Sequence, residues 1–317
     1  MPKLVLLWTD AAIWLMMAAL AAYAVTVLRK PDLAANWRKV FRDGPALASS
    51  VILVLCLAVT LLDSVHYRRL LAPAAGAAAA SAPAYDTRTR SLLDATLAGL
   101  VDSREATYSR PLSYLGFTKE SKLVDGEVRR VAPRLVFGGS HLKNPEAEWA
   151  GDVAARAARG LVAGALIALA LSALLLALIA RSQGLAFAAA WQHVRHVQGQ
   201  VPWHVALGTI GAICLLAGPA AALAGPYHLL GTDLTGNDVL YQSLKSIRTA
   251  FVIGSLATVA TLPLAVTLGL LAGYFKGWVD ELIQYLYTVL SSVPNVLLIA
   301  ACVLMVHNYR YAQACEA

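Results

Sequence analysis

Residues 229–298, LLGTDLTGNDVLYQSLKSIRTAFVIGSLATVATLPLAVTLGLLAGYFKGWVDELIQYLYTVLSSVPNVLL, decide the fold. The run from Gly231 to Asp238 is rich in Gly, Thr, Asp and Asn, which supply positive-φ positions and side chains that bond nearby backbone amides. Asn237 or Asp238 is placed to cap a helix. Leu240, Leu244, Ile247 and Phe251 recur at helical spacing, while Gln242, Lys245 and Thr249 take another face. The pattern predicts an amphipathic helix on a membrane surface leading into a span. That span, residues 250–272, is apolar for long enough to cross a hydrocarbon core of about 30 Å at about 1.5 Å per residue. Gly269, Gly273 and Gly277 are four apart, which predicts one helix face open to close approach by a neighbour. A polar link with Lys276, Asp280 and Glu281 precedes a second span, 282–306, containing Ser291, Ser292, Pro294 and Asn295. Pro294 removes a backbone donor and predicts a bend whose freed carbonyl needs a partner.

Composition fixes the class. Of 317 residues, 58% are hydrophobic and 14% charged, which excludes an ordinary soluble domain. The formal charge of +7 lies between apolar runs, without a basic stripe interleaved with aromatics, so no nucleic-acid partner is expected. Six apolar runs, 11–28, 46–62, 161–180, 205–223, 250–272 and 282–306, predict an all-α polytopic membrane protein of about six transmembrane helices. The first exceeds the usual core of a signal peptide and is read as an uncleaved span. Asp10 belongs at its water interface, because a carboxylate at mid-bilayer costs roughly 2.5 to 3.5 kcal/mol.

Orientation follows from the short links. Arg29, Lys30, Arg38, Lys39 and Arg42, then Arg181 and Arg195, then Lys276 mark the cytoplasmic side, and the remaining short segments carry fewer cations. Residues 63–160 are then extracytoplasmic, since so long a segment translocates largely regardless of its charge. Residues 72–84, APAAGAAAASAPA, read as an Ala/Pro-rich linker. Residues 89–101 have helical spacing, and Asp125-Gly126 predicts a hairpin turn. With a helix running from Glu148 into the third span, these make a small α+β domain.

The chain has no Gly-x-x-x-x-Gly-Lys-Ser/Thr, so energy for any transport must come from a partner. His193 and His196, with His204, lack an obvious fourth ligand and are read as part of a solvated helix. His141 and His228 stand alone. Cys56, Cys214, Cys302 and Cys315 fall in separate segments with no CxxC pair. No catalytic residue, cofactor or metal site is expected. Asp233 and Asp238 are read as turn and cap residues. Pro294 and Asn295, a kink and an amide inside a span, are candidates to line a pore or subunit interface, together with the glycines 269, 273 and 277.

The residues Gly231, Thr232, Asp233, Gly236, Asp238, Arg248, Gly254, Ala272-Gly273-Tyr274, Gly277, Asp280 and Pro294, in this order and spacing, resemble the second permease subunit of bacterial dipeptide/oligopeptide ABC importers, over about a quarter of the chain. The resemblance implies a partial type I importer permease fold in the inner membrane. It implies a partner permease, separate ATPase subunits and a periplasmic substrate-binding protein. Gln242 stands where the family has Arg, Ser246 and Lys276 replace glycines, and Tyr285 replaces Arg. The family continues through a further span and an ATPase-docking loop, so the permease half is expected to be incomplete as given. The expected organisation is an N-terminal hairpin (1–62), the outer segment (63–160), a second hairpin (161–225) and the permease core (226–317). The rival expectation is a non-transporting scaffold or sensor that keeps a partial permease core.

Overall fold

The computed structural model describes residues 3–70, 85–124, 127–184 and 201–316, with positions 186, 189, 191, 192 and 194 between the last two segments. The linker 72–84, the turn Asp125-Gly126, and His193 and His196 lie outside the described residues. The chain divides into two compact units, Met1–Val252 and Ile253–Ala317.

In the first unit, strand β1 (Lys3–Val5) precedes helix α1 (Trp8–Arg29), then α2 (Pro31–Arg42) and α3 (Gly44–Asp63). The basic link after the first span is therefore itself a helix. Pro31 starts α2, where its missing N–H costs nothing, and the apolar side chains of α2 repeat at helical spacing. Strand β2 (His66–Arg68) pairs antiparallel with both β1 and β3 (Arg90–Ser91), so the start of the chain and the segment after α3 share one sheet. The helix expected over 89–101 is divided. Ser91 and Asp94 close a capping box for α4 (Leu92–Thr96), and α5 (Ala98–Asp102) follows a break at Leu97. Residues 90 and 91 are strand because they pair with Tyr67 and His66. The expected hairpin is present, with β4 (Glu120–Val124) against β5 (Glu127–Val131) and Val124 opposite Glu127.

Helix α6 (Pro145–Gln183) has 39 residues, about 58 Å, so its first turns stand outside any bilayer core before it becomes the third span. It packs along α7 (Trp203–Ala224) through glycines that the sequence reading did not single out. A side chain at Gly160 would lie 2.7 Å from Cα of Pro219, and Gly164 and Gly218 press directly on the facing backbone. Tyr227, Leu142 and Leu223 form the core at one end of this pair, and Leu176, Ile179 and Val194 at the other.

Helix α8 (Val239–Phe275) merges the predicted surface helix and the fifth span into 37 continuous residues. Nothing between Arg248 and Phe251 breaks the hydrogen-bond ladder, so one helix forms instead of two. In the second unit, α9 (Trp278–Ser292) and α10 (Asn295–Glu316) replace the predicted single span over 282–306, and their axes differ by 86°. Val293 is extended and Pro294 cannot donate to the previous turn, so the bend becomes a break. Among the described residues five helices are long and apolar enough to cross a membrane, or six with the bent pair counted as one span.

Candidate functional site

The loop between α7 and α8 carries most of the motif, and it folds onto the segment after α5. Thr232 is buried, and its hydroxyl donates to the Thr107 carbonyl at 2.8 Å and lies 3.1 Å from the Ser109 hydroxyl. Asp233 accepts from the amides of Thr235 and Asn237 at 2.9 and 2.8 Å, and from Nε2 of Gln242 at 2.6 Å. Burial opposes its ionisation, but these donors outweigh it and hold the carboxyl well below the usual range. Gln242, which stands where the resembled family has Arg, reaches Asp233.

Asp238 does two jobs. Its Oδ1 accepts the Tyr241 amide at 3.1 Å and caps α8, and its Oδ2 meets Nδ1 of His228 at 2.7 Å. Nε2 of His228 lies 3.4 Å from Glu105 Oε1, and Glu105 also accepts the amides of Val136, Phe137 and Gly138 at 2.9, 2.7 and 3.1 Å. Burial alone would lower the His228 pKa, but the two carboxylates raise it. For Glu105 burial works upward, and the three amides and His228 hold it below its ordinary value. His228, read from sequence as a lone loop residue, is therefore the centre of a buried cluster. Gly236 (φ +78) sits against the same segment, where a Cβ would collide with the Glu105 carbonyl, and its own carbonyl accepts the Glu105 amide at 2.9 Å. Gly231 is likewise at positive φ against Ser109.

A second cluster grips the first turns of α8. Asp94 accepts from Lys245 at 2.8 and 3.0 Å and from the Tyr241 hydroxyl at 2.7 Å. Here too burial opposes ionisation, and the Lys245 ammonium with the Ser91 amide outweighs it and lowers the Asp94 pKa. Arg248 reaches Asp10 Oδ1 at 2.5 Å and lies 3.9 Å from Asp63 Oδ2. Asp10 also holds His66 Nδ1 at 2.9 Å and the Leu7 amide at 3.1 Å. The sequence places Asp10 at a water interface; it does lie in the first turn of α1, yet it is sealed from solvent by these partners. His141, also read as lone, meets Asp152 at 2.7 Å beside Arg156 and Tyr227.

In the second unit the candidates are apart from one another. Gly269 and Gly273 lie on α8 with open space where a side chain would be. Gly277 does not share their helix face. It is the residue before α9, at φ +58 and ψ −132, a region closed to side chains, and Lys276 before it is also at positive φ. The resembled family has a glycine at position 276, where this backbone would suit one. Asp280 lies in the first turn of α9, 3.3 Å from Gln284 Nε2. Pro294 and Asn295 form the break before α10. Among the described residues no group of three or more His, Cys, Asp and Glu is arranged to hold a metal ion. The buried clusters are closed, and their work is to fasten α8 to the segments before it.

Spans, capped loop and broken last helix define a multi-pass helical membrane protein. Within that class, part of the chain is homologous to permease subunits of peptide ABC importers, as its motif residues imply. It is 37% identical over 76 residues to the oligopeptide transport system permease protein OppC of Mycobacterium tuberculosis, covering 24% of this chain and 26% of that protein. It is 36% identical over 86 residues to the glutathione transport system permease protein GsiD of Pectobacterium atrosepticum, covering 27% of each. It is 34% identical over 87 residues to the dipeptide transport system permease protein DppC of Alkalihalophilus pseudofirmus, covering 27% of this chain and 29% of that protein. The chain spans about a quarter of the length of the curated relatives it matches. No protein-family model and no solved structure matches it.

Proposed function

We propose that this chain supplies part of the permease of a peptide-type ABC importer in the bacterial inner membrane. A second permease subunit would complete the path, ATPase subunits would hydrolyse ATP, and a periplasmic binding protein would deliver the substrate. The observation that carries this reading is the homologous segment, together with the detailed fastening of its motif loop by Asp238, Thr232 and Asp233. Residues 63–160 stand outside in this reading, above the hairpins 1–62 and 161–225, and 226–317 form the permease core. Gly269, Gly273, Pro294 and Asn295 line the pore or subunit interface, with Gly277 as the adjoining turn. The almost complete exposure of side chains in the second unit supports this, because those surfaces are left for lipid or a partner. Affinity purification of the tagged chain from its native membranes tests the reading. An ABC ATPase and a second permease should copurify, and uptake of labelled di- or oligopeptide should fall when the gene is removed. Recovery of the chain without either subunit, with unchanged uptake, favours a scaffold.

A further inference from the structure

The basic link between the first two spans is a built surface, and nothing in the proposed transport cycle uses it. Helix α2 turns back at Lys30 so that Nε1 of Trp37 donates to the Tyr23 hydroxyl at 3.1 Å. Trp37 also meets Tyr23 edge-on at 6.2 Å and stacks on Phe41 at 5.8 Å. Between α1 and α2 this leaves an open groove of about 450 Å³ with Leu20, Val27 and the three aromatics on its walls and Arg38 at its edge. The groove is apolar, yet its surroundings are cationic. Arg29, Lys30, Arg38, Lys39 and Arg42 stand against only Asp32 and Asp43. Trp37 and Val40 remain 38% and 48% exposed. An amphipathic helix with this division of apolar and basic faces, attached to the end of a span, lies at the level of lipid headgroups.

We propose that the α1–α2 groove holds an anionic phospholipid, with an acyl chain against the Tyr23–Trp37–Phe41 wall and the headgroup phosphate facing Arg38, Arg42 and Lys39. The charge complementarity selects this occupant. A zwitterionic lipid would fill the same apolar space but leave the cations without a net negative partner, and an apolar protein helix would leave them without one too. Arg38 and Arg42 are one helical turn apart, so both reach one headgroup, and guanidinium groups suit phosphate through paired donors. The inference rests on the chain spanning a membrane and not on the transport reading.

The test uses the full chain, delipidated in detergent and titrated with phosphatidylglycerol or phosphatidylcholine. Bound lipid is counted by native mass spectrometry, and stability is followed by melting temperature. Phosphatidylglycerol should be retained at least tenfold more strongly than phosphatidylcholine and should raise the melting temperature. The triple variant Arg38→Gln, Lys39→Gln, Arg42→Gln should lose that preference while keeping its lipid-free melting temperature, since these side chains are exposed. Trp37→Ala should weaken retention of both lipids. Equal retention of the two lipids by the unaltered chain, or a preference unchanged in the triple variant, overturns the proposal.

Discussion

His228 is buried between two carboxylates, so its titration is coupled to folding. Its pKa is raised when folded, so the stabilisation it brings is complete below its ordinary value of about 6.5 and is lost as pH rises through the folded value. Glu105 has the opposite sign. Its lowered pKa means that its contribution is present above its ordinary value and is lost as pH falls through the folded one. The melting temperature of the purified chain should therefore decline as pH is raised from about 6 to about 9, and His228→Gln should flatten that slope. Parallel slopes in the two proteins would remove His228 as the source. The sequence gives no hint of this cluster, because Glu105 is 123 positions from His228 and no spacing rule connects them. By contrast the cap Asp238 was legible, since a cap is a local event between a side chain and an amide three residues on.

The helices show the same division between local and distant causes. Apolar length located every span, and Pro294 marked the place where the last one fails, but neither could say that the failure is an 86° break. Pro294→Ala restores a donor and should straighten the α9–α10 junction; in the permease reading, insertion stays normal and peptide uptake is lost. Normal uptake would leave the break without a role in transport. Glycine spacing proved ambiguous. Gly160 and Gly164 of α6, four apart, meet Gly218 of α7 at backbone contact, while a side chain at Gly269 or Gly273, equally spaced, would meet nothing among the described residues. The pattern says that close approach is permitted, and only the fold says where it occurs. Gly160→Leu should thus overpack the α6–α7 seam and destabilise the isolated chain by about 1–3 kcal/mol, read as a lower melting temperature in detergent. Gly273→Leu should leave that temperature unchanged and abolish copurification of the partner permease, whose helix it would hold away. If both variants melt alike and both retain the partner, the distinction between an internal seam and an external one fails.

At the scale of the whole molecule, the segments with no counterpart in the resembled motif hold the motif in place. Counting cations put the chain start, residues 63–160 and the loop before α8 on one side of the membrane; the structure joins those segments physically, through β1–β2–β3 and through the Glu105–His228–Asp238 and Asp94–Lys245 contacts. What composition could not reveal is that Arg248, a motif residue, is clasped by Asp10 and Asp63 from the first two spans. In sequence Asp10 reads as an interface residue and Asp63 only as the start of the outer segment, and their meeting with Arg248 makes them a clamp. Asp63 is almost fully buried with neither oxygen hydrogen-bonded, and the Arg248 guanidinium lies 3.9 Å away. Removing that guanidinium leaves Asp63 buried with no cation beside it and Asp10 with only His66 and the Leu7 amide, and breaking a buried pair in this way costs about 3–5 kcal/mol in comparable cases. Arg248→Ala should therefore lower the melting temperature sharply, and the double variant Arg248→Ala, Asp63→Asn should recover part of the loss because one unpaired charge is gone. No recovery in the double variant would assign the effect to lost packing. Together with the cation count, the same joining predicts a topology that chemistry can test. In a background with the native cysteines replaced, single cysteines at Lys3, Glu120 and Leu234 should react with a membrane-impermeant maleimide from one side. Cysteines at Lys39 and Lys276 should react from the other. Because β1 is hydrogen-bonded to β2, Lys3 cannot be on the opposite side from Glu120 without unpairing the sheet, so labelling of those two from different faces would refute the arrangement of the first unit itself.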